Sequence, residues 1–142
     1  MEPAATMWRW GLVVARSLCA VVFGVAGVLK IMMPMRASEG SGALVHAILI
    51  ASPWIAIMEV AIGIGLLLPA RRWRRLTATI AAFLVGGGCV VLIWLRLVGV
   101  PSASCGCFGD AFQLDLADHM LLNGAMLGLL VAIGAEARSQ AR

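Results

Sequence analysis

Long apolar runs separated by brief polar ones dominate the chain. The first extends from Trp10 to Met33 and opens with Trp8, Arg9 and Trp10, a mix of aromatic and basic residues suited to a membrane interface. It is longer than a signal-peptide core, no Ala-x-Ala pattern follows it, and Arg16-Ser17-Leu18 ahead of Cys19 does not fit a lipoprotein signal. It therefore reads as a mature first span. A polar stretch from Pro34 to Gly42 follows, and then Leu44 to Ala51, which is apolar but too short to cross and is expected to lie at the interface or to re-enter. A second span is expected over residues 53–68, with Pro53 in the first turn and Pro69 closing it. The third is expected over residues 76–100, stopped by Pro101, and the fourth over residues 116–135, where Asp115 and Asp118 are spaced as an N-cap and its acidic third residue. The pattern predicts an all-α membrane protein, a four-transmembrane-helix bundle forming one integral domain over residues 1–142.

Composition narrows the class. Of 142 residues, 62% are apolar and 13% charged, with a mean hydropathy of +0.99. A soluble domain needs roughly a quarter of its residues charged, and a disordered chain needs fewer apolar ones. Four spans of ~20 residues occupy ~80 positions, leaving short connections and no room for a second, soluble domain.

The net charge of +4 does not indicate nucleic acid, because four of the eleven cations, Arg71, Arg72, Arg74 and Arg75, crowd around Trp73 between two apolar runs. Such a cluster marks a cytoplasmic loop. Both termini then face the cytoplasm with Arg9, Arg138 and Arg142, which makes seven cations inside against Arg36 outside. The segment from Ser104 to Asp110 is thereby expected on the extracytoplasmic side of a cytoplasmic membrane, where disulfides persist. Gly24 with Gly27, the run Gly86-Gly87-Gly88, and Gly124 with Gly128 are expected to let helix backbones approach closely.

Lys30, Glu59 and Arg96 are ionisable residues inside apolar runs, each unfavourable in hydrocarbon by a few kcal/mol unless paired, hydrated or able to reach the interface. Counted from Pro34, Pro53 and Pro101 at ~1.5 Å per residue, they lie roughly 6, 9 and 8 Å below the outer helix ends, at one level. Lys30 and Glu59, of opposite sign on consecutive antiparallel helices, are expected to form an ion pair. Either this pair only fixes helix register while Arg96 snorkels outward, or the three line a polar pocket beneath the outer loops.

Above that level stands Ser104-Cys105-Gly106-Cys107-Phe108-Gly109-Asp110. Two cysteines one residue apart on an oxidising face invite a disulfide whose small ring is strained and easily reduced. A structural staple would gain little there, since stabilisation grows with the loop that is closed. Arg96 would favour thiolate over thiol, and His119, one helical turn from Asn123, would move protons during thiol exchange. The plain alternative for His119 is a satisfied interfacial residue. Cys19 and Cys89, roughly 22 and 18 Å below the outer ends, are too deep to meet the other two. They read as inert packing residues, with a second disulfide as the alternative.

Gly27-Val28-Leu29-Lys30 late in the first helix, Glu59 followed by Gly63 in the second, and Cys105-Gly-Cys-Phe-Gly109 before the fourth resemble the methylamine-utilisation MauE family, within the wider DoxX-like group of four-helix membrane proteins. The resemblance covers almost the whole chain. It implies a role in maturing methylamine dehydrogenase, a disulfide-rich periplasmic enzyme, together with a thioredoxin-like companion. It also implies that Cys105 and Cys107 are the redox pair and that Asn123 is the family's last-helix asparagine. Leu122 stands where a basic residue commonly precedes that asparagine.

The function expected from the sequence is membrane thiol-disulfide exchange. Cys105 and Cys107 would trade disulfides with a thioredoxin-like extracytoplasmic partner and pass electrons to or from a lipid-soluble carrier such as a quinone. Arg96 and His119 would assist, above a pocket formed by Lys30, Glu59, Asn123 and Phe108. No motif for a covalently bound cofactor, nucleotide, haem or flavin is present. The alternative is a non-enzymatic carrier of soft metal or an assembly scaffold, because Met32, Met33, Met35, Cys105, Cys107 and His119 offer ligands suited to Cu(I).

Overall fold

The computed structural model describes residues 3–33, 43–97 and 116–139. These form four α-helices, α1 (Pro3–Met32), α2 (Ala43–Leu67), α3 (Arg71–Leu97) and α4 (Leu116–Ser139), and no strand occurs among the described residues. Each contains a stretch long and apolar enough to cross a membrane: Trp10–Met32, Leu49–Leu67, Arg71–Trp94 and Ala117–Glu136. Even α4, with 24 residues, extends ~36 Å at ~1.5 Å per residue, more than the ~30 Å of a hydrocarbon core.

Two boundaries differ from the sequence expectation. Leu44 to Ala51 is not a separate interfacial or re-entrant element; it forms the first turns of α2, and Pro53 lies inside that helix rather than at its start. A proline removes one backbone hydrogen bond, but in an apolar setting breaking the helix would leave many more groups unpaired, so the helix continues through it. The arginine cluster likewise lies not in a loop but in the opening turns of α3. The Ala70 carbonyl accepts from the Arg74 amide at 3.1 Å, so the helix begins immediately after a connection of only Leu68, Pro69 and Ala70.

The helices form a ring in which α1 and α3 each flank α2 and α4, while the diagonal pairs do not touch among the described residues. The most extensive contacts join α1 to α2 and α3 to α4, so the bundle is two helical hairpins side by side. Its core gathers Leu12, Cys19 and Phe23 from α1, Ile62 and Leu66 from α2, Ala78 and Ala81 from α3, and Met126, Leu130 and Ile133 from α4. The outer faces stay apolar and exposed, as at Val21, Val25 and Val28 of α1, which is what lipid contact requires.

Glycine makes its close approaches to a neighbouring backbone where α1 meets α2. A Cβ on Gly27 would lie 2.6 Å from the Ala56 carbonyl oxygen, and one on Gly63 would lie 2.8 Å from that of Ala20. Gly24 is the surface against which Gly63 rests. The expected close packing at Gly86, Gly87, Gly88, Gly124 and Gly128 is not found, since a Cβ at any of them would meet nothing within 4 Å. Glycine spacing states that a backbone is approachable; the ring decides whether a neighbour stands on that face.

These contacts fix how the helices are staggered. Gly65 lies against Thr77, and α3 meets α4 along a groove lined by Ala78, Ala82, Leu130 and Gly134. All five tryptophans are exposed. Trp73 and Trp94 mark the two ends of α3 about 31 Å apart along its axis, matching the hydrocarbon thickness and the usual place of tryptophan at both interfaces.

Candidate functional site

Lys30 and Glu59 meet as expected. The Lys30 Nζ donates to Glu59 Oε1, and the two residues are 9% and 8% exposed. The approach that permits this is local: Gly27 is one turn before Lys30 and abuts Val60, the neighbour of Glu59. The second carboxylate oxygen, Glu59 Oε2, is buried without a hydrogen-bond partner. Glu59 lies about 9 Å along α2 from Gly65, whose partner Thr77 is about 6 Å above Trp73. The pair therefore sits about 15 Å from that interface layer, at the middle of the bilayer and deeper than the sequence count gave.

The single polar level expected for Lys30, Glu59 and Arg96 resolves into two. Arg96 is exposed in the last turn of α3, two positions beyond Trp94 and about 20 Å nearer that end of the bundle than Glu59. A depth counted from Pro53 puts Glu59 near the start of its helix, whereas α2 begins at Ala43, which places Glu59 much further from that end. At the interface a guanidinium keeps its water while its stem lies against apolar surface.

His119 belongs to the same layer as Arg96, level with Trp94 and about 15 Å from Glu59 along the bundle. It faces inward on the stripe that continues through Met126, Leu130 and Ile133, and is only 2% exposed. Its Nε2 is buried with no hydrogen-bond partner. Asn123, one turn along the same stripe, is half-buried. An enclosed imidazole nitrogen with an unmet hydrogen bond is unfavourable unless a ligand or reacting group completes it.

Cys105, Cys107 and Phe108 lie outside the described residues, as do Met35, Arg36 and Asp115. The segment that carries the cysteines connects Leu97 to Leu116, so Arg96 and His119 stand at its two ends. Cys19 and Cys89 are free thiols, the first fully buried and the second half-buried. They cannot form the alternative second pair, being on non-touching helices α1 and α3 and about 16 Å apart along the bundle. Met32 and Met33 are both exposed, and among the described residues no three His, Cys, Asp or Glu side chains converge as a metal site.

One ionisable residue inside a span escaped the sequence reading. Arg16 lies within Trp10–Met32, half-buried, with its Nε enclosed and unpartnered. The signal was present, because Arg16 shares the three- and four-residue spacing of Leu12, Cys19, Ala20 and Phe23 and so had to face the core.

A family model described as methylamine utilisation protein MauE matches residues 8–135. The chain belongs to the MauE family. The matched stretch takes in the Lys30–Glu59 pair, both cysteines of the Cys-Gly-Cys segment, and His119. MauE membership and four membrane-length helices together make this a multi-pass membrane protein. No curated protein sequence and no solved structure matches the chain.

Proposed function

We propose that this MauE-family protein is a thiol-disulfide redox protein of the cytoplasmic membrane, working through Cys105 and Cys107 on the extracytoplasmic face. The observation that carries the reading is His119, a buried imidazole with a free nitrogen at one end of the cysteine-bearing segment, with the Arg96 guanidinium at the other. A proton acceptor and a fixed positive charge are what thiol exchange needs, one to take the thiol proton and one to favour the thiolate.

The exchange balances as follows. A thiolate of a thioredoxin-like partner attacks the Cys105–Cys107 disulfide, breaking its S–S bond and forming a mixed disulfide. The partner's second thiol breaks that bond in turn. The partner leaves oxidised, and Cys105 and Cys107 remain as a dithiol that has taken two electrons and two protons. A membrane quinone would accept both pairs and leave as a quinol, restoring the disulfide; with the potentials reversed, electrons flow the other way. Once it has taken the thiol proton, the enclosed imidazole Nε2–H at the interface layer is suited to donate to a quinone carbonyl. Methylamine metabolism, suggested by the family's name, would supply a disulfide-rich enzyme as the final client. The Lys30–Glu59 pair, deep in the bilayer, holds α1 against α2 and so supports this layer from below.

Tagging of thiols in denatured protein tests the reading. The chain has four cysteines; two tags before reduction and four after are expected, and Cys105→Ser should give three in both states. Four tags without reduction, in protein taken from oxidising membranes, would remove the redox pair. In protein that passes this test, His119→Phe should slow disulfide exchange about a hundredfold, the low end of what a positioned acid-base group contributes, while leaving the tag counts unchanged.

A further inference from the structure

At the opposite end of the bundle two arginines face inward. Arg16 lies on the core stripe of α1 between Leu12 and Cys19, and Arg74 lies one turn before Thr77 and Ala78 on the core stripe of α3. Both residues are half-buried, and the guanidinium Nε of each is enclosed with no hydrogen-bond partner. Their height is fixed by the glycine contacts: Gly63 rests on Ala20, one turn from Arg16, and Gly65 rests on Thr77, one turn from Arg74. Both arginines therefore fall where α2 stops at Leu67, in the layer of Trp73.

Helices α1 and α3 are diagonal in the ring, so the two cations look toward the bundle axis from opposite sides. Arg72 and Arg75 add exposed positive charge beside them, while Arg71 and Glu136 make interactions of their own. Two like charges turned inward repel, and each has an Nε enclosed without a partner, so an anion between them relieves both penalties. The Trp73 layer is the depth at which lipid headgroups lie, and a guanidinium fork matches the oxygens of a phosphate.

We propose that Arg16 and Arg74 bind a phosphate group at this end of the bundle, that of an anionic lipid headgroup entering beside the end of α2. Basic pockets between membrane helices take such headgroups. A purely structural role is the competing account, because the carbonyl end of α2 also attracts cations.

Purified protein in neutral detergent, titrated with phosphatidylglycerol, phosphatidylcholine or inorganic phosphate and followed by native mass and by thermal unfolding, separates these. Phosphatidylglycerol should bind about twenty-five-fold more tightly than phosphatidylcholine, a factor of about five from each arginine. Arg16→Gln or Arg74→Gln should each remove one factor, and both together should bring the preference near one, whereas joint Arg72→Gln and Arg75→Gln should leave most of it. If the glutamine variants do not fold, Arg16→Lys with Arg74→Lys keeps the charge without the fork and should show an intermediate preference. Equal binding of the two lipids by the unmodified protein would overturn the proposal. So would an exposed-pair variant that loses as much as the inward pair, or inward-pair variants that lower stability equally with and without lipid. Inorganic phosphate stabilising as well as phosphatidylglycerol would keep the anion site and refute the lipid as its source.

Discussion

A methyl group on Gly27 would collide with a backbone oxygen, and backbone cannot move aside as a side-chain tip can. Gly27→Ala should therefore destabilise by about 1–3 kcal/mol, read as a lower thermal midpoint in detergent. Gly124→Ala, at a helical position where nothing lies within 4 Å, should not destabilise and should raise stability by up to about 1 kcal/mol, because alanine is the better helix former. The same reasoning at Lys30 and Glu59 concerns charge. Removing one partner of a buried pair leaves the other uncompensated, at about 3–5 kcal/mol, whereas removing both with apolar replacements is often neutral. Glu59→Gln should thus lower stability more than Lys30→Met combined with Glu59→Leu; equal losses would show that the pair does not act as one. The pairing itself was legible from opposite charges on consecutive helices. Its depth was not, because that depended on where α2 begins.

Helix boundaries were the least legible feature at the scale of elements. Pro53 reads as a start signal because in water a proline is best tolerated in a first turn, yet α2 carries it internally. Its missing amide and its ring weaken the helix locally, so Pro53→Ala should raise the thermal midpoint without altering helical content by circular dichroism. If residues 43–52 were an independent element, that substitution would instead add helical signal. The arginine cluster departs from the sequence expectation in the opposite sense, helical where a loop is expected. Arginine is a good helix former, and once the Ala70 carbonyl accepts from Arg74 nothing prevents the cluster from being helical.

For the molecule as a whole, the ring of two hairpins sorts polar groups into three layers: paired arginines near Trp73, the ion pair at mid-depth, and Arg96 with His119 near Trp94. The orientation we propose from the cation asymmetry has the Trp73 layer on the cytoplasmic side. A membrane-impermeant maleimide should then label Cys105 and Cys107 from outside intact, reduced cells and leave a cysteine placed at Ala70 unlabelled. The reverse pattern would invert the topology and move the cysteine pair into a reducing compartment.

Four apolar runs, one cationic turn and two opposite charges on neighbouring helices pointed on their own to a chain that crosses a membrane and to Lys30 meeting Glu59, because bilayer thickness sets the length of a span and an unpaired charge is unfavourable in hydrocarbon. Only the tertiary structure decided which glycines are pressed upon, that Arg96 stands apart from the ion pair, and that Arg16 faces inward with Arg74. Each of these depends on the stagger between helices, set by close contacts such as Gly27 on the Ala56 backbone and Gly65 on the Thr77 side chain, and no spacing within one helix encodes its height against another.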